Sequence, residues 1–222
     1  MLMEFVERLR LGEMSFEWLL FTFLSYAMVI LLALPVHELA HGFAADKLGD
    51  HTARWNGRLT LNPFAHLDIM GTLMIFLFGV GYAKPVPVNP LNFRNYKTGM
   101  ALTALAGPAS NLLMAFLSLA VLRVFYAVLP AGLALTIAYI FFYEFAWINV
   151  GLAIFNLLPI PPLDGFRIVA NILPPKWSYF VDRYQMYITM AVMLLVFSGA
   201  LSRPISFLAG GIFNFFFQIL MF

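Results

Sequence analysis

Residues 18–41 of this 222-residue chain read WLLFTFLSYAMVILLALPVHELAH, an apolar run that leads directly into two histidines and a glutamate. The part from Trp18 to Val36 contains no Asp, Glu, Lys or Arg. A helix needs roughly 20 apolar residues to cross about 30 Å of hydrocarbon. We therefore expect one helix from about residue 16 to residue 46, longer than the membrane core and disturbed at Pro35.

The rest of the chain has the same character. Five further stretches lack charged residues, namely 100–122, 124–143, 145–163, 184–202 and 204–222. The chain is 62% hydrophobic and 11% charged, whereas a typical soluble domain is about 45–50% apolar and about 25% charged. This composition predicts an all-α polytopic membrane protein embedded in the lipid bilayer.

The composition also excludes several kinds of protein. The net charge is +2, and the basic residues are scattered, so no nucleic-acid partner is expected. The chain has no cysteine, which excludes disulfides, thiolate zinc sites and iron–sulfur clusters.

Prolines, glycines and charges between the apolar runs predict where the helices end. We expect core helices at about 16–46, 98–126 and 134–158, and peripheral helices at about 184–201 and 205–221. Together they give about five membrane spans in one integral-membrane domain over residues 1–222. The apolar stretch 69–83 is too short for a comfortable span, and the proline-spaced segment that follows it cannot be helical.

The distribution of Lys and Arg predicts the orientation. If the carboxyl end of the first helix faces the cytoplasm, nine of the 13 basic residues lie inside and four outside. Helices 16–46 and 134–158 then run in the same direction, with one crossing between them. Residues 69–83 should therefore enter and leave on the cytoplasmic side as a re-entrant element, which is tolerated only against protein or a wet cavity. The alternative is two short crossings.

The HExxH sequence carries the chemistry. His37 and His41 are four residues apart, so on a helix both imidazoles lie on one face and can share a metal ion. Glu38 stands beside them and can accept a proton from metal-bound water. Ionisable groups near an apolar helix are functional candidates by default; the alternative is a solvated helix end.

A catalytic zinc site needs three protein ligands and one open position. The chain has only four histidines, so the third ligand is His51, His66 or a carboxylate. Asp164 is the best candidate, because the prolines before it unwind the chain and Gly165 permits a sharp turn. Its alternative role is to cap the helix that follows it. For His66 the preferred interpretation is a hydrogen-bonding residue at the interface.

Three motifs occur in order along the chain: HExxH at 37–41, Ala106-Gly-Pro-Ala-Ser-Asn111, and Asn156-Leu-Leu-Pro-Ile-Pro-Pro-Leu-Asp-Gly165. Together they resemble the site-2 proteases, which are intramembrane zinc metalloproteases, and in particular their compact prokaryotic branch without a PDZ domain. The resemblance covers roughly residues 30–200.

The resemblance implies one Zn²⁺ per chain, held by His37, His41 and Asp164. It implies Glu38 as the general base and Asn156 as a residue that supports the reacting carbonyl. The implied activity is that of a zinc metalloendopeptidase in the prokaryotic plasma membrane, with its active site toward the cytoplasm. Its partner would be a membrane protein that is cut in or near a transmembrane segment.

Two other functions are compatible with the composition. A transporter or channel could use Glu38, Glu144 and Asp164 as an ion path, but transporters usually contain repeated halves, and the sequence shows no repeat. A catalytically inactive binding protein is disfavoured by the intact motifs. Asn111 is expected to join helices. The sequence assigns no role to Glu144 and leaves the substrate's identity and the oligomeric state open.

Overall fold

The computed structural model describes residues 24, 27–78, 81–171 and 173–221. All the regular secondary structure assigned in these ranges is helical, which confirms the all-α prediction. The helices are α1 (Val29–Lys47), α2 (Thr52–Trp55), α3 (Pro63–His66), α4 (Ile69–Phe78), α5 (Tyr96–Val128), α6 (Leu133–Asn156), α7 (Asp164–Ala170), α8 (Pro175–Phe197) and α9 (Ser202–Met221). Residues 16–23, 25 and 26 of the predicted first helix lie outside the described residues.

Four of the described helices, α1, α5, α6 and α9, are long and apolar enough to cross a membrane, as a multi-pass membrane protein requires. Most of the fifth predicted span, 184–201, lies in α8, which is not among these four. This helix starts earlier than predicted, at Pro175, because proline suits the first turn of a helix. It stops at Phe197, just before Gly199, whose φ of +73° is a helix-ending conformation.

Pro35 changes the hydrogen bonding of α1. The segment Val29–Ala33 is π-helical, and the amide of Leu34 donates to the carbonyl of Val29, five residues earlier. A proline inside a helix lacks an amide hydrogen and crowds the carbonyl four residues before it. The wider turn lies directly before the proline, where the sequence predicted a disturbance.

The short apolar element folds back on itself. Helix α4 has ten residues and is therefore about 15 Å long. The chain then returns to its starting point, where the amide of Lys84 donates to the carbonyl of His66 at 2.8 Å. A Cβ on Gly71 would lie 2.0 Å from the carbonyl oxygen of Tyr82, so only glycine permits this approach. The two ends lie side by side, as a re-entrant element requires.

The helical core forms around α5, which contacts α1, α6, α7 and α9. Small side chains such as Ala115 and Ala146 let the backbones of neighbouring helices come close, as is usual between membrane helices. The fully packed cluster consists of Ala115, Leu119, Leu122, Ala146, Val150, Ala209 and Phe213. Helix α5 is therefore the support against which the other functional elements are positioned.

A buried carboxylate connects the end of α1 to segment 81–92, which is extended up to Asn89 and ends in a short 3-10 helix at Pro90–Asn92. Asp50 is fully buried, and it accepts hydrogen bonds from the amide of Asn89 at 2.7 Å and from the side-chain nitrogen of Asn92 at 2.8 Å. It also accepts from the amide of Thr52 at 3.1 Å. Burial alone would raise the pKa of Asp50, but the hydrogen bonds from Thr52 and Asn92 lower it overall.

Replacing Asp50 with alanine should release segment 81–92, because the bonded amides lose a buried acceptor worth about 1–3 kcal/mol. Hydrogen exchange at the amide of Asn89 should accelerate at least tenfold. The exposed Asn56→Ala variant is the control and should leave that amide protected. Because the pKa of Asp50 is lowered by folding, its stabilisation exists at neutral pH and fades as the pH falls below about 4. The melting temperatures of the wild type and of Asp50→Ala should therefore converge at low pH.

Candidate metal centre

The two histidines of HExxH point inward from α1. Each is only 5% exposed, and their ring centroids are 4.6 Å apart. The Nε2 atoms of His37 and His41 lie 3.0 Å from each other. The helical spacing of four residues has therefore placed both imidazoles on one face, as the sequence predicted.

The carboxylate of Asp164 meets these rings from the other end of the fold. Its Oδ2 lies 3.2 Å from Nε2 of His37 and 3.1 Å from Nε2 of His41. Asp164 begins α7, but no side chain caps that helix, so the alternative capping role is not observed. A Cβ on Gly165 would lie 2.1 Å from the carbonyl oxygen of Leu157, so glycine is required for the turn that aims Asp164 at the histidines.

The donor set fits a zinc ion. The Nδ1 of His41 is 2.7 Å from the carbonyl of Thr103 and must donate to it, which leaves a lone pair on Nε2 of the neutral ring. A carboxylate also offers only lone pairs, so a metal ion bound between it and that nitrogen would satisfy both groups. Ligands about 2.0–2.1 Å from a tetrahedral zinc stand roughly 3.3 Å apart. The observed separations of 3.0–3.2 Å are close to this value.

Helix α5 provides the space for the imidazoles. A Cβ added to Gly107 would lie 2.4 Å from Nε2 of His41 and 2.6 Å from Cε1 of His37. No side chain larger than hydrogen fits there without displacing the rings. The Ala106–Asn111 motif therefore has a steric function that sequence reasoning did not identify.

Glu38 lies beside the histidines and is held by the extended segment. Its Oε2 accepts a hydrogen bond from the amide of Val86 at 2.9 Å. Glu38, His37 and Asp164 all line a cavity of about 330 Å³. The rest of this cavity is mainly apolar, with Leu152 among its lining residues. A carboxylate that is not one of the three converging groups thus faces the same space.

Two asparagines also line the cavity. Asn156 is partly exposed and donates one hydrogen bond to the carbonyl of Leu152 in its own helix, at 3.0 Å. Asn111 is 1% exposed, and neither atom of its amide has a hydrogen-bond partner among the residues that the structure describes. The sequence analysis took Asn111 for a helix-joining residue; its position four residues after Gly107, on the same face of α5, is the signal that could have placed it here.

The remaining histidines lie elsewhere. His51 pairs with Asp46 at 2.7 Å, and His66 is buried with Nε2 at 2.8 Å from the carbonyl of Thr60. Among the described residues, only His37, His41 and Asp164 form a group of three whose ligand atoms lie within 4.8 Å of one another. The structure thus gathers the predicted trio and leaves out the other two candidates.

Apolar spanning helices that enclose two histidines of HExxH and a distant aspartate define a membrane metalloenzyme of the zinc peptidase type. A comparison with known families agrees, because residues 25–199 match the model of peptidase family M50, the site-2 protease family. The chain belongs to this family, and it is a zinc metalloprotease. This membership confirms the resemblance and decides against the transporter interpretation.

The similar proteins bear provisional names as zinc metalloproteases. YwhC of Bacillus subtilis is 41% identical over 153 residues, which are 67% of this chain and 68% of YwhC. Rip2 of Mycolicibacterium smegmatis is 31% identical over 178 residues, which are 78% of this chain and 66% of Rip2. MJ0611 of Methanocaldococcus jannaschii is 31% identical over 147 residues, 65% of each chain. The chain thus spans about two thirds of these relatives, and no solved structure matches it significantly.

Replacing Gly107 with alanine should cost the protein its metal, because the new Cβ displaces both imidazoles from their common point. We expect zinc per chain, measured by atomic emission on detergent-purified protein, to fall at least fivefold. Gly210→Ala in α9 is the matched control, since a Cβ there meets nothing within 4 Å. Full zinc occupancy in Gly107→Ala would show that the rings are not held as described.

Proposed function

We propose that this zinc metalloprotease hydrolyses a peptide bond in or near a transmembrane segment of a membrane-protein substrate. The observation that carries the proposal is the position of the His37, His41 and Asp164 group. It is buried between helices that are apolar enough to span a membrane, yet it borders a cavity large enough for a stretch of peptide. The residues of the metal group and of the cavity all belong to the single domain that we predict over residues 1–222.

We assign the three metal ligands to His37, His41 and Asp164. Zinc held there would activate a water molecule and polarise the scissile carbonyl. Glu38 acts as the general base: its carboxylate accepts a proton from the attacking water and gives it to the leaving amine nitrogen. The hydrogen bond from the amide of Val86 fixes one carboxylate oxygen, so the other remains to carry that proton.

The extended segment positions the base rather than offering all of its amides to a substrate. The amides of Lys84, Val86 and Asn89 donate to His66, Glu38 and Asp50, respectively. Proline residues at 85, 87 and 90 have no amide hydrogen to donate. We infer that this segment is rigid and holds Glu38 at the cavity.

The reacting carbonyl needs hydrogen-bond donors as negative charge develops on its oxygen. Asn156 has one amide hydrogen left after its bond to Leu152, and Asn111 has both. Leaving a buried amide without partners costs about 1–3 kcal/mol. We propose that Asn111, together with Asn156, donates to the substrate backbone, and that this bonding compensates for the cost.

The orientation in the cell completes the proposal. Polar residues follow α1 directly, and His41 is only five residues before Asp46. At 1.5 Å per residue this places the metal group within roughly 10 Å of the helix end. Nine of 13 basic residues lie on that side. We therefore propose that the protein lies in the plasma membrane of a prokaryotic cell and that its active site opens to the cytoplasm.

The base and the ligand should respond differently to substitution. Glu38→Gln keeps the size of the side chain but removes the proton acceptor, so zinc should stay near one per chain while cleavage of a transmembrane peptide is lost. Asp164→Ala removes a ligand, so zinc and cleavage should fall together. His51→Ala, which changes a histidine outside the group, is the control. Loss of zinc in Glu38→Gln with retention in Asp164→Ala would reverse the assignment.

We expect Asn111 to increase kcat and to lower the stability of the protein. Asn111→Ala removes a buried amide with no partner, so the melting temperature should rise or stay unchanged. The same change should lower kcat about 10²–10³-fold with zinc retained, because a donor to the transition state is lost. Asn149→Ala is the matched control on α6, since Asn149 is buried outside the cavity. Unchanged kcat in Asn111→Ala would leave Asn156 as the sole donor.

A further inference from the structure

Glu144 lies in an unusual place. It is near the middle of α6, 11 residues after Leu133 and 12 residues before Asn156, and its side chain is exposed. No hydrogen bond or ion pair joins it to any residue that the structure describes. Ile137 and Phe141 beside it are exposed and apolar. A carboxyl group at this depth is costly unless a partner is supplied from outside the chain.

The face that carries Glu144 continues to the catalytic cavity. At 100° per residue, Ile148, Gly151 and Phe155 lie within about 40° of Glu144 around the helix axis. A Cβ on Gly151 would meet none of the described residues within 4 Å, so they leave space open above it. Phe155 lines the cavity that also holds the metal group. One outward face of α6 thus runs from mid-membrane to the site of reaction.

We propose that this face is the docking track for the substrate's transmembrane helix, and that Glu144 selects substrates with a hydrogen-bond donor, such as lysine, at mid-membrane depth. Three features favour this partner: the track ends at the cavity, the open space at Gly151 allows a second backbone to come close, and the unpaired carboxyl needs a donor. The inference rests on the proposed function, because it describes a property of the membrane-protein substrate that this function requires.

The geometry sets the spacing of the donor. Glu144 and Phe155 are separated by 11 residues of helix, or about 16 Å. A substrate that is helical along the track and extended at the cavity covers this distance in about 7 to 11 residues. The donor should therefore lie about 7 to 11 residues from the scissile bond, on its membrane side.

The test uses the full-length zinc-loaded protein in phosphatidylcholine vesicles. The probes are synthetic transmembrane peptides of roughly 20 leucine and alanine residues with a glycine-rich break near one end. One peptide is wholly apolar, and the others carry a single lysine at successive positions. With the wild type, we expect lysine within the expected interval to lower KM at least tenfold relative to the apolar peptide. In Glu144→Leu this preference should vanish while zinc content stays unchanged.

A charge exchange makes the test sharper. Glu144→Lys should prefer a peptide with glutamate in place of the lysine. The matched control adds Leu117→Glu to Glu144→Leu, which restores an exposed acid on a different helix and should not restore the preference. The inference is overturned if KM does not depend on the position of the lysine. It is also overturned if Glu144→Leu alters the mass of the oligomer but not the preference for lysine, because this face would then be a contact between copies of the protein. Absence of cleavage with every peptide would instead remove the proposed function itself.

Discussion

The site depends on placing lone pairs that repel one another at a single buried point. The ring nitrogens of His37 and His41 and the carboxylate of Asp164 lie within 3.2 Å of each other inside an apolar protein. A bound cation would relieve this repulsion, provided that each side chain is held in place. The surrounding fold supplies these restraints: the carbonyl of Thr103 fixes one imidazole, and Gly107 leaves room for both.

A second set of restraints acts on Glu38, the proposed general base. Asp50 holds the extended segment through buried hydrogen bonds, and that segment delivers the amide of Val86 to Glu38. The metal group and the base are thus held by separate parts of the chain, α5 and α7 for the first and the extended segment for the second. This separation is the reason why we expect zinc content and proton transfer to respond to different substitutions.

Much of this arrangement could be predicted from the sequence, because it depends on local rules. The long charge-free runs predicted α5 and α6 to within two residues at each end, and the spacing of HExxH predicted which face of α1 carries the histidines. The proline-rich turn before Asp164 indicated a carboxylate aimed away from its own helix. The amino-terminal start of α8 was missed because residues 175–183 are polar enough to conceal a helix from a search for apolar runs.

The steric and polar details could not be predicted, because they depend on which distant segments meet. The need for glycine at position 107 exists only once α1 packs against α5, and the unpaired amide of Asn111 exists only once the cavity has formed. The same holds for Glu144: the sequence shows a mid-span acid, but only the packed helices show that it faces outward.

The ligands are also separated in time during synthesis. His41 and Asp164 are 123 residues apart, and two of the long apolar helices lie between them. When α1 enters the membrane, its histidine pair is a two-ligand half-site with no carboxylate, which holds zinc far less firmly than the finished site. With the ligand set proposed above, the zinc site of the growing chain would be complete only after α6 and the turn that follows it have been made.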